Sequence, residues 1–299
     1  MHFVDTHCHI QSSTKADGEG GEAITRSMWA KVGHPTGDEL IERAEEYGVK
    51  QLICVGCSLS DSRLAVDFVQ GRPQCFASIG IHPHEAKDYV VPGLDPDDTR
   101  PDADDTLELV LDEGALAESA ELASDEKVVA IGECGLDYYY EHSDPVSQQR
   151  VLRYQLELAL ERDLPVIFHV REAFEDFWSI FDAVNAEAGQ RKLRGVLHSF
   201  TDSAENLRLA LDRGLLIGMN GIATFTKDEK QLEMYKSVPL SSILLETDSP
   251  FLTPHPYRGT ICEPYHISVT AEFIAKLRNM PLQDLAAATT ANAHRLFKL

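Results

Sequence analysis

Short apolar runs alternate with amphipathic segments along the whole chain. Phe3–His7, Gln51–Gly56, Cys75–Ile81, Val128–Gly132, Val166–Val170, Val196–Phe200, Leu215–Met219 and Ile243–Glu246 are brief and bounded by Gly, Pro or polar residues. Most are rich in β-branched side chains, and the pattern predicts eight strands. Between them, Gln148–Arg162 and Ala173–Ala188 carry the clearest helical spacing. Pro145 suits a helix entry, Pro165 opens the next strand, and Pro281–Phe297 reads as a final helix. Strand then helix, repeated eight times, predicts a (β/α)8 TIM barrel of the α/β class. No repeat or linker divides the chain, so residues 1–299 are expected to form one barrel domain. Two segments break the rhythm. Gln11–Gly37 lacks periodicity, and Tyr89–Asp104 is a Pro- and Asp-rich loop ahead of a helix expected at Asp105–Ser124. Both follow strands, on the side where barrel enzymes carry their site-shaping loops.

Composition narrows the setting. With 43% apolar residues the chain can fill a substantial core. No apolar run approaches the roughly 18 residues of a membrane helix, so a soluble protein is expected. The start Met1-His2-Phe3-Val4-Asp5 has no basic segment and soon meets an acid, so no signal peptide and a cytoplasmic location are expected. The formal charge is −22, and His84–Glu126 holds fifteen acids against Lys87 and Arg100, more than half of that excess. We read this stretch as a solvated segment that says little about the ligand. The six cysteines read as buried thiols, because Cys54-Val-Gly-Cys57 lacks the second pair that a zinc site needs.

The candidate chemistry begins at Asp5-Thr-His7-Cys-His9, where two imidazoles at i and i+2 of an extended segment can reach one metal. Metal-type residues recur at the same address later: Glu133 after Val128–Gly132, His169 in Val166–Val170, His198 after Gly195-Val-Leu, and Asp248 after Ile243–Glu246. A lone histidine there would be a core residue with a satisfied partner. Six such groups at five strand ends would instead ring one mouth of one barrel. That is too many for one ion, so two metals are expected, with a carboxylate holding them roughly 3.5–4 Å apart. His82 and His84 flank Pro83 at the third strand end, open to reading as a metal or phosphate contact or as a hydrogen-bonded turn. Arg171 could meet a phosphate or pair with Glu172 or Asp176. Glu246, two residues before Asp248, could orient a ligand.

The motifs Asp5-Thr-His-Cys-His, Gly80-Ile-His-Pro-His, Gly132-Glu-Cys-Gly-Leu-Asp-Tyr-Tyr, Phe168-His-Val-Arg-Glu-Ala, Leu197-His-Ser-Phe and Leu245-Glu-Thr-Asp-Ser-Pro-Phe-Leu span almost the whole chain in order. Together they resemble the TatD-related deoxyribonucleases, among the amidohydrolase-like barrels. The resemblance implies a divalent-metal hydrolase that cleaves phosphodiesters in DNA, as a 3′-to-5′ exonuclease on single-stranded or frayed ends. It implies His7 and His9 on a first metal, a bridging Glu133, His169 and His198 on a second, and Asp248 completing the first. Asp248 and Glu133 would be the catalytic carboxylates, and His82 would serve substrate phosphate or an outer position. The implied cofactors are two divalent ions (Mg, Mn or Zn), and the implied partner is DNA, with no membrane. Lysine is absent from these strand ends, against relatives that bridge through a modified lysine. Arg258-Gly-Thr-Ile-Cys-Glu-Pro is similar to the family's Arg-to-Asn-Glu-Pro segment, with Cys262 where asparagine is expected; Arg258 is a candidate substrate contact. Two alternatives stand beside the nuclease. One hydrolyses another ester or amide in the same site, as in aminoacyl-tRNA deacylation; the other binds metal without catalysis, against which the six intact positions speak.

Overall fold

The computed structural model describes residues 1–13, 23–92 and 109–299. Its strands are β1 (Phe3–Cys8), β2 (Val49–Val55), β3 (Cys75–Ile79), β4 (Val90–Pro92), β5 (Leu109–Leu111), β6 (Val128–Asp137), β7 (Val166–Arg171), β8 (Gly195–Leu197), β9 (Leu216–Met219) and β10 (Ile243–Leu245). The helices are α1 (Ala23–Ala30), α2 (Gly37–Glu46), α3 (Leu59–Val69), α4 (Glu113–Leu122), α5 (Pro145–Arg162) and α6 (Phe174–Glu187). After them come α7 (Ala204–Asp212), α8 (Ile222–Phe225), α9 (Glu229–Ser237), α10 (Ile267–Leu277) and α11 (Leu282–Phe297). Eight strands pair in parallel in the order β1-β2-β3-β6-β7-β8-β9-β10, which is the TIM barrel the alternating pattern predicts.

Two packing layers explain the alternation. Val4, Ile53, Val55, Val129, Ile167, Val196, Leu216 and Leu244, drawn from seven strands, pack together inside the barrel. Leu296 and Phe297 of α11 join that layer, and Thr290 donates to the His2 carbonyl, so the last helix covers the amino-terminal mouth. A second, larger cluster fills the space between strands and helices, with Phe168, Phe177, Phe181 and Trp178 among its aromatic members. Among the described residues no helix is long and apolar enough to cross a membrane.

The seam between β1 and β10 closes differently from the other joints. A single bridge joins Cys8 to Ser249, with His9 N–H donating to Ser249 O and Asp248 N–H donating to His7 O, each at 2.8 Å. Asp5, fully buried, locks that joint. One of its oxygens accepts from Thr247 N–H (2.9 Å), and the other accepts from the Thr247 hydroxyl (2.6 Å). The same bonds fix Asp248 beside His7.

Several expected boundaries move. β6 runs on to Asp137, past the expected end at Gly132, because glycine lets two strands approach closely: a Cβ at Gly135 would lie 1.7 Å from His169 O. The aperiodic stretch after β1 holds a 3-10 turn, Ile10–Ser13, and then helix α1, seated by Trp29, whose indole donates to His9 O. The helix expected at Asp105–Ser124 is instead β5 followed by α4, because Asp112 caps the Ala115 N–H and starts the helix there. β4 and β5 pair antiparallel. The remainder of both expected loops, 14–22 and 93–104, and the first four residues of the expected helix, 105–108, lie outside the described residues.

Removing the Asp5 carboxylate by Asp5→Ala strands the buried Thr247 donors, and each such loss costs ~1–3 kcal/mol. Urea unfolding should show a loss of about 3 kcal/mol with an unchanged slope. A loss within experimental error would mean that backbone bonds alone close the seam.

Candidate metal centre

The carboxyl ends of the strands open into a cavity of about 640 Å³, lined by His9, Cys57, His82, Glu133, Asp137, His169, Arg171, His198 and Asp248, among others. Glu133 lies at its floor, 5% exposed. Its two oxygens face different neighbours. Oε2 lies 3.3 Å from His7 Nε2, while Oε1 lies 3.0 Å from His169 Nδ1 and 4.0 Å from His198 Nε2. On the Oε2 side, His7 Nε2 and His9 Nε2 are 3.2 Å apart, and Asp248 Oδ1 is 3.3 Å from His9 and 3.7 Å from His7. An ion about 2.1 Å from each ligand keeps its ligand atoms roughly 3.0–3.4 Å apart, so this spacing suits a cation.

At His9, His169, His198 and His82 the partner of the outer nitrogen decides what the inner one offers. His9 Nδ1–H donates to Val55 O (2.9 Å), so when the ring is neutral its lone pair is on Nε2, aimed into the cluster. Asp137 Oδ2 stands 2.9 Å from His169 Nε2 and Glu246 Oε1 stands 3.0 Å from His198 Nδ1, so each ring turns its other nitrogen inward. His82 is the exception. Its Nδ1 accepts from the His84 backbone N–H (3.2 Å) at the start of the Pro83–Tyr89 turn, so its proton sits on Nε2, 3.7 Å from Glu133 Oε1. His82 is close enough to join a group with Glu133 and His169, yet it presents a donor rather than a lone pair.

Electrostatics follow the same division. Burial would raise Glu133, but His7 and His169 hold it well below the usual carboxylate range. Asp248 behaves alike: burial opposes the shift, and His9 and His198 bring it down. Burial lowers His7, with His198 adding to the effect, and burial then His169 push His82 well below the ordinary imidazole value. Carboxylate partners overcome burial at the other three rings. Asp248 draws His9 up to about 9, Asp137 and Glu133 draw His169 up to about 9, and Glu246 draws His198 up to about 10.

The six residues expected to bind metal thus come together, as does Glu246, which accepts from Ser199 N–H (2.6 Å) and faces His198. Gly218 makes room for it, since a Cβ there would lie 2.4 Å from Glu246 Oε2. Arg171 reaches the cavity stacked on Tyr139 rather than paired with Glu172 or Asp176. Arg258 does not line the cavity; it packs 3.9 Å over the Phe225 ring and donates to Thr253 O. Cys262 is buried, and Glu263 of that segment pairs with Arg43 at 2.7 Å. Sequence reasoning missed Asp137, although it sits at i+4 from Glu133 in a strand, where side chains share a face. It also missed Cys57. All six cysteines are buried, yet the Cys57 thiol lines the cavity and donates to Glu133 Oε2 at 3.7 Å, while Cys54 lies in the core.

The chain is similar to known proteins over nearly its whole length. Residues 4–298 match the family described as TatD related DNase. The chain is 37% identical over 262 residues to the uncharacterized metal-dependent hydrolase YabD of Bacillus subtilis, covering 88% of this chain and 92% of that one. It is 32% identical over 286 residues to the 3'-5' ssDNA/RNA exonuclease TatD of Salmonella typhimurium, covering 93% and 98%. Among solved structures, the TatD homolog YJJV of Escherichia coli superposes with a TM-score of 0.77 at 22% identity, over 99% and 98% of the two chains. Because the match runs from the first strand to the last helix, the chain belongs to the TatD-related DNase family of metal-dependent hydrolases.

Proposed function

We propose that this chain removes nucleotides from the 3′ end of single-stranded or frayed DNA, using two divalent ions that share Glu133. The observation that carries the reading is the division of Glu133: one oxygen toward His7 (3.3 Å), the other toward His169 (3.0 Å), with His198 between the two groups, 4.0 Å from Glu133 and 3.9 Å from Asp248. His7, His9, Asp248 and Glu133 would hold one ion; His169, His198 and Glu133 would hold the other. Bound cations of this kind acidify a water, polarise the phosphoryl oxygens and stabilise the leaving oxygen. The chain's own groups do the rest. Asp248, held ionised, accepts the proton of the attacking water. His82 offers its Nε2–H to a phosphoryl oxygen or to Glu133. Val55 O, Asp137 and Glu246 fix the rings of His9, His169 and His198. The relatives of Salmonella and Citrobacter, named 3'-5' ssDNA/RNA exonucleases, support the bond and the polarity.

Charge sets the footprint. Among the described residues, Arg171 is the one Lys or Arg that lines the cavity, and the chain carries −22 overall. Such a protein engages a few phosphates at a terminus and does not grip a long duplex. A 5′-labelled single strand should therefore shorten from its 3′ end at least about tenfold faster than a blunt duplex, with a log–log salt slope of only about two or three. Glu133→Gln should lower kcat roughly 100- to 1000-fold, the scale of losing one preorganised electrostatic group. Faster turnover of an aminoacyl-tRNA or carboxylic ester than of any oligonucleotide would contradict the reading.

Metal uptake has its own pH signature. In the metal-free protein His9, His169 and His198 stand at about 9 to 10, so they are protonated at pH 7.5 and must release protons to bind an ion. Manganese titration by calorimetry in buffers of different ionisation enthalpy should show more than one proton released per chain. Apparent affinity should rise with pH and flatten above about 9 to 10. Heats independent of the buffer would contradict this protonation pattern.

A further inference from the structure

Beyond Asp137 the cavity wall changes character. Asp137 Oδ1 accepts from the backbone N–H groups of Tyr139 (3.0 Å) and Tyr140 (3.1 Å), which pins the turn that follows β6. That turn sets the Tyr140 ring on the cavity wall with 49% of the residue exposed. His142 stacks beside it, with ring centres 5.9 Å apart and planes 23° from parallel. The Arg171 guanidinium lies 4.7 Å from the Tyr140 ring and 4.2 Å from that of Tyr139. Among the described residues no carboxylate pairs with Arg171; Asp176 is taken by the Tyr138 hydroxyl (2.8 Å) and Gln149 (2.9 Å).

A half-exposed tyrosine beside a guanidinium that pairs with no carboxylate among the described residues, a few side chains from a phosphodiester-cleaving centre, is chemistry that suits a nucleotide. The ring takes the face of a base, and the cation takes a phosphate. Ile222, Phe251 and Leu252 line the same cavity and give it apolar surface. A base inside a duplex has both faces covered by its neighbours, whereas a base at a single-stranded end exposes them. Asp137 ties the two regions together, since its other oxygen orients His169.

We propose that Tyr140, backed by Arg171 and His142, is the platform on which the terminal base of a single-stranded nucleic-acid end stacks before cleavage. The proposal rests on the nuclease reading and adds the recognition of the terminal base to it. Stacking does not depend on hydrogen-bonding edges, so the platform accepts any base but rejects a terminus that lacks one.

The test compares two eight-residue oligothymidylates, one ending in thymidine and one in an abasic tetrahydrofuran residue. The wild-type kcat/KM should favour the base-bearing strand roughly tenfold. Tyr140→Ala should bring the ratio near one, and Tyr140→Phe should restore it. A second measurement needs no cleavage. In Tyr140→Trp the new indole is exposed, whereas Trp29 and Trp178 are buried, so its emission is separable. A strand with a phosphorothioate at its last linkage should quench that emission, and its abasic counterpart should not. A wild-type ratio near one, a Tyr140→Ala ratio like that of the wild type, or equal quenching by both strands would overturn the platform. Selective quenching without cleavage of either strand would leave the platform standing and sink the nuclease reading.

Discussion

A buried carboxylate is stable only when donors or cations surround it, and Glu133 is the buried carboxylate around which this molecule is arranged. Its partners come from β1, β7 and the chain just beyond β8, positions far apart in sequence that only barrel closure brings together. The seam bonds of Asp5 and Thr247 and the close approach permitted by Gly135 therefore serve one end. They hold separate strand ends at the spacing that lets imidazoles neutralise Glu133 in the metal-free state. The same spacing suits cations when they replace protons. In the proposed reading cations replace those protons, so metal uptake is coupled to proton release.

A second ring of groups decides which nitrogen each imidazole presents. Backbone carbonyl, aspartate and glutamate partners leave the inner nitrogens of His9, His169 and His198 to offer a lone pair once those rings lose a proton, while a backbone N–H makes His82 a hydrogen-bond donor. Four histidines at one mouth therefore do not play one role. Asp137 belongs to this ring and to the cavity wall at once, since it holds His169, His84 at 3.1 Å and the backbone of Tyr139 and Tyr140. Geometry at the His–Glu cluster and geometry at the Tyr139–Tyr140 wall of the cavity share that one carboxylate.

Much of this was legible in the chain. Short β-branched runs ended by His, Glu or Asp locate both the strands and the cluster, because the barrel places every strand's carboxyl end at the same mouth. Where the pattern misled, packing had intervened. Ile10–Ser13 and α1 look aperiodic because Trp29 seats them by one buried indole rather than by an apolar stripe. Cys57 reads as core until β2 ends and turns its thiol toward Glu133. Arg171 and Arg258 are indistinguishable in sequence as phosphate contacts. Tertiary stacking puts Arg171 on tyrosines inside the cavity and Arg258 on Phe225 outside it.

The shared carboxylate is tested most directly by anomalous diffraction from crystals of the wild-type protein soaked in manganese. The account predicts two anomalous peaks on either side of Glu133, one contacting His7, His9 and Asp248 and the other contacting His169 and His198, with His82 Nε2 outside both coordination shells. A single peak at saturating manganese, or a peak ligated by His82 Nε2, would contradict it.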